Sequence, residues 1–113
     1  MPTKSLQESV RDALTDEGEA WQNWFESARK VDISVRVNVG PRLDPARTAT
    51  QTKNLDAALV CVEETTAALR QQLGIGAKSE LITWSPRVVG EICLVVVASN
   101  SNLNVEFTLN FHH

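Results

Sequence analysis

Apolar residues recur along this chain at two distinct periods, and the switches between them mark out its elements. Leu6, Val10, Ala13 and Leu14 follow three- and four-residue spacing, which predicts a helix with one apolar stripe. Ser5 with Glu8 three residues later is a capping-box pattern, so the helix starts there. Thr15-Asp16-Glu17-Gly18 interrupts the stripe. Either the helix ends near Leu14, or Gly18 marks a weak point in a longer one. Trp21, Trp24, Phe25 and Ala28 restore the spacing, so residues 19–29 read as a second helical piece. Its two tryptophans either pack on a sheet or anchor a partner subunit, since tryptophan is enriched at interface hot spots.

The period then changes to two. Val31, Ile33, Val35, Val37 and Val39 alternate with Asp32, Ser34, Arg36 and Asn38, a strand with one buried and one wet face. Gly40-Pro41 closes it, because proline cannot continue a ladder. Residues 40–53 carry no periodic apolar pattern and read as a long mobile loop. Asn54 is a suitable N-cap for the next segment. There Leu55, Leu59, Val62, Thr66, Leu69 and Leu73 form the stripe of an amphipathic helix. Gly74 supplies its C-terminal turn, with Ile75 packing back on the last turn. Glu63 and Glu64 are adjacent, point to different sides and read as a solvated face.

Three strands complete the chain: Glu80 to Ser85, ended or bulged at Pro86; the apolar run Glu91 to Ala98; and Leu103 to Phe111. Ser99-Asn100-Ser101-Asn102 is a turn cluster, and short connections make these strands antiparallel. The expected fold is α+β in the order α-β-α-β-β-β. Its helices pack on one face of a mixed, mostly antiparallel four-stranded sheet. The path from the first strand through the long helix reads as a right-handed crossover. An apolar run such as Glu91 to Ala98 belongs where both sheet faces are covered. With helices on one face only, a neighbouring subunit is the natural cover for the other.

Length and composition restrict the function more than they define it. At 113 residues, a single domain spanning 1–113 is expected. The apolar content of 42% and charged content of 22% are those of a folded domain. A net charge of −3 argues against general nucleic-acid coating, so no direct nucleic-acid contact is expected. The chain has no apolar run of roughly 18 residues to cross a membrane, and its start lacks a signal-peptide pattern. Charge is nevertheless uneven. Residues 31–54 hold four basic and two acidic side chains, while the remainder is acidic. Cys61 and Cys93 read as reduced, small and buried. His112 and His113 end the sequence, a poor place for a general base. No nucleophile–base–orienter set can be assembled, so the chain reads as a non-enzyme with no catalytic residue, metal or cofactor.

The stretch VDISVRVNVGPRL, then NLDAALVCVEETTAALRQQLG, then the closing VEFTLNF resembles the small tail-terminator and tail-completion proteins of tailed bacteriophages. Leu55, Leu59, Val62, Glu63, Glu64 and Leu69 carry the helical part of the likeness. Val31 to Val39 and Val105 to Phe111 carry the strands. The resemblance implies a structural virion protein, assembled in the host cytoplasm as a homo-oligomeric ring, commonly of six copies. Such a ring caps the tail tube and joins it to the neck, so its partners are itself and the tube and neck proteins. Arg42, Arg47, Lys53, Trp21 and Trp24 are the candidate interface residues. The alternative is a small intracellular ligand- or protein-binding regulatory domain. A pocket lined by Trp21, Trp24 or Trp84 would mark it.

Overall fold

The computed structural model describes residues 5–39, 42–44, 50–73, 82–90, 93–99 and 103–113. The first helix, α1 (Leu6–Glu17), starts at the expected cap: the Glu8 amide donates to Ser5 Oγ at 3.2 Å. Its buried face is Leu6, Val10 and Leu14. It runs past Leu14 and stops at Gly18, whose φ of 116° breaks the helical path. The Gly18 amide closes α1 on the Leu14 carbonyl, and the Gly18 carbonyl accepts from Gln22 in α2 (Glu19–Glu26). The second helical piece is therefore shorter than its sequence pattern, ending before Ser27 rather than at Arg29.

All described strand pairs are antiparallel. The strands are β1 (Lys30–Val39), β2 (Arg42–Asp44), β3 (Thr50–Thr52), β4 (Thr83–Val89), β5 (Cys93–Ser99) and β6 (Leu103–His112). They form one sheet in the order β2-β1-β6-β5-β4, with β3 also on β1. Three expectations are corrected. Among the described residues the sheet has six strands rather than four. None of its described pairs is parallel. The link from β1 to β4 is no parallel crossover, because β4 runs antiparallel to β1 from the far edge of the sheet.

Two further corrections concern strand ends. The segment expected as a loop at 40–53 contributes β2 and β3, both on the outer edge of β1. Val37 faces Asp44, but Val31 faces Thr52 where continuous register would bring residue 50. The slip of two residues preserves which face each residue occupies. Strand β4 runs straight through Pro86, which pairs with Val96, instead of ending there. Proline is tolerated because β4 is an edge strand, where a missing donor can face solvent.

Helix α3 (Leu55–Leu73) is capped by Asn54, whose Oδ1 accepts from the Ala57 amide at 3.0 Å. Its buried residues are Leu55, Ala58, Leu59, Val62 and Thr66, with Leu69 partly covered. The Thr66 hydroxyl is satisfied by the Val62 carbonyl at 2.8 Å. The C-terminal turn expected at Gly74 and Ile75 lies outside the described residues, as do Asn100, Ser101 and Asn102. Between helices and sheet, one cluster joins Leu6, Val10, Phe25, Val62, Phe107 and Phe111. Phe25 meets Phe111 edge to face with centroids 4.6 Å apart. Burying such side chains contributes about 1.5–3 kcal/mol each.

Candidate assembly surfaces

The sheet has a core face and an open face. Alternation puts Val31, Ile33, Val105, Phe107, Leu94 and Val96 in the core. It puts Asp32, Ser34, Arg36, Glu106, Thr108, Asn110, Cys93, Val95, Val97 and Arg87 on the other side. Val95 is buried, yet stands outside the core cluster. Its cross-strand neighbours are Arg87 and Thr108. Cys93 and Val97 stay half-buried, and Val89 is 41% exposed. Among the described residues this face is polar with an apolar strip along β5.

The cysteines are both free and half-buried, not buried as expected. They lie on opposite sides of the sheet: Cys61 packs against the core cluster from α3, while Cys93 pairs with Asn110 on the open face. Partial desolvation raises the Cys93 thiol pKa above its ordinary 9.0.

One corner of the sheet collects basic side chains that are remote in sequence. Lys30 pairs with His112, and Lys53 leaves β3 level with Lys30, one residue past the Val31–Thr52 pair. The Arg29 amide donates to the His112 carbonyl at 2.9 Å. His112 Nε2 donates to Asp32 Oδ2 at 2.7 Å, and His113 Nε2 donates to the Trp24 carbonyl at 2.6 Å. The His113 ring also lies 3.8 Å from that of Trp24. Both histidines are therefore tied to α2 and β1. Arg29, Lys30, Lys53, His112 and His113 are all exposed.

The candidate interface residues separate. Trp21 packs against the core, while Trp24 is 40% exposed beside His113. Lys53 belongs to the cationic corner. Arg42 begins β2 opposite Val39, on the same sheet edge, and Arg47 lies outside the described residues. The corner escapes a reading of the sequence because only strand register assembles it. The adjacent pair Arg29-Lys30, at the start of the first strand, was the available signal.

A cleft of about 60 Å³ lies between α1, α2 and the start of α3, lined by Val10, Leu14, Gln22, Glu26, Asp56 and others. No tryptophan lines it. Among the described residues, no helix is long and apolar enough to cross a membrane. Comparisons with family models, curated proteins and solved structures gave no match.

Proposed function

We propose that the protein is a self-assembling structural subunit, working as a phage tail terminator does: copies close into a ring that caps a tube. The observation carrying this reading is the one-sided sheet. Among the described residues its helices occupy a single face and leave the other, with an apolar strip around Val97 and Val89, to meet other subunits. The sequence resemblance supplies the particular role, with tail-tube and neck proteins as partners. Arg42, Arg47, Lys53 and Trp24 remain the interface residues of this proposal, while Trp21 packs against the core. A heterologous contact repeated by rotation yields a closed ring. The helix cleft, near 60 Å³, is small beside small-molecule pockets of roughly 300–1,000 Å³, so this cleft gives the ligand-binding alternative no support.

Native mass spectrometry across a concentration series, with negative-stain imaging, tests the proposal. One closed stoichiometry, six copies above all, is the expected result. Open-ended polymers, or a monomer at every concentration, would overturn it.

A further inference from the structure

Two exposed charge sets lie at opposite ends of α2. At its N-terminal end, Asp16, Glu17 and Glu19 surround Gly18. At its C-terminal end stands the cationic corner, with Arg29, Lys30 and Lys53. None of these six side chains has an ion-pair partner among the described residues. The eight residues of α2 hold the sets about 12 Å apart at 1.5 Å per residue. That exceeds the screening length of about 8 Å at physiological salt. The two sets therefore satisfy each other poorly within one chain.

Two members of the acidic set also oppose local structure, whereas Glu19 sits favourably in the first turn of α2. Asp16 and Glu17 occupy the last turn of α1, which has no basic residue. The helix dipole is negative there, so carboxylates are unfavourable and cations favourable. A cationic surface docked on this turn would remove the conflict. Strand addition is the obvious rival mode of self-contact, but Pro86 blunts the β4 edge.

We propose that copies of this chain join head to tail, with the Arg29–Lys30–Lys53 corner of one copy seated on the Asp16–Glu17–Glu19 turn of the next. This inference rests on the assembly reading above and names its copy-to-copy contact. The two surfaces differ, so the interface is heterologous, and each copy offers one of each kind. The contact is electrostatic and weakens with salt.

A charge-swap experiment tests it. K30E/K53E and D16K/E17K are made in the full chain, with D16N/E17Q as a milder variant, and association is followed by sedimentation velocity at about 50 mM salt. Each reversal alone should weaken association about tenfold or more, and the neutral variant less. An equimolar mixture of the two reversed chains should recover it, because both contacts in an alternating A–B array are again complementary. D16K/E17K should also melt slightly higher than the wild type, which separates lost contact from lost fold. Association that ignores the reversals, or a mixture that recovers nothing, overturns the contact. A closed ring indifferent to these charges would sink this contact and leave the ring reading standing. Charge-dependent open chains would do the reverse, and a wild type that never associates would end both.

Discussion

Gly18 carries a φ of 116°, where a side chain is strained even though nothing lies within 4 Å of its would-be Cβ. Gly18→Ala should therefore destabilise the fold by about 1–3 kcal/mol, seen as a lower Tm, through backbone strain rather than a clash. Phe25 is fully buried against Phe111 and Trp21. Phe25→Ala should cost about 3–5 kcal/mol, a large part of a domain's usual 5–15 kcal/mol, and urea unfolding would measure it. Thr66 is different, because its hydroxyl only doubles up on a helix carbonyl. Cys93 gives a pH prediction. Burial raises its pKa from 9.0, so the unfolded thiol ionises first. Any stability it contributes is present below that value and lost as pH rises through the folded pKa. In a Cys61→Ala background, its reaction with a disulfide reagent at mildly alkaline pH should be slower folded than in urea. Equal rates would remove desolvation as the cause.

At the scale of elements, the edge strands are the most exposed to design changes. Pro86→Val should restore a backbone donor and a β-branched side chain to β4. The expected outcome is greater aggregation on heating, read by light scattering; unchanged scattering would show that another feature guards this edge. The same strand shows what the sequence can convey. The α1 and α3 stripes and the alternation of β1 and β6 were legible because burial imposes period 3.6 or 2 on the residues themselves. An edge strand is only half-buried, so its signal is weaker. In β3 it is Thr50-Gln51-Thr52, where β-branched threonines alternate but no large apolar residue does. In β4 the proline masks a regular in–out alternation. The cationic corner was less legible still. Lys30, Lys53 and His112 meet only through the pairings of β1 with β3 and β6, and register is a tertiary property.

For the whole molecule, the controlling fact is where strand β6 lies. Strand β6 sits between β1 and β5, so the last strand in sequence is central in the sheet. It supplies Val105, Phe107, Leu109 and Phe111 to the core, all essentially inaccessible to water. Without it, β1 with its short edge strands and the β4–β5 hairpin are two separate ribbons, and isolated hairpins are marginal at best. The helices would lose the surface that Phe25 packs on. Pairing β1 with β6 also joins residues far apart in the sequence, such as Lys30 and His112. That loop closure must precede the gain from contacts, and such topologies fold in milliseconds to seconds. A chain lacking residues 103–113 should therefore show no cooperative thermal transition by circular dichroism, although α3 retains partial helicity. A cooperative melt in the truncated chain would mean that helices and hairpin form a core alone. Strand β6 would then be an addition to the fold rather than its keystone, and the terminal histidines would be free to serve the assembly surface instead of holding the sheet together.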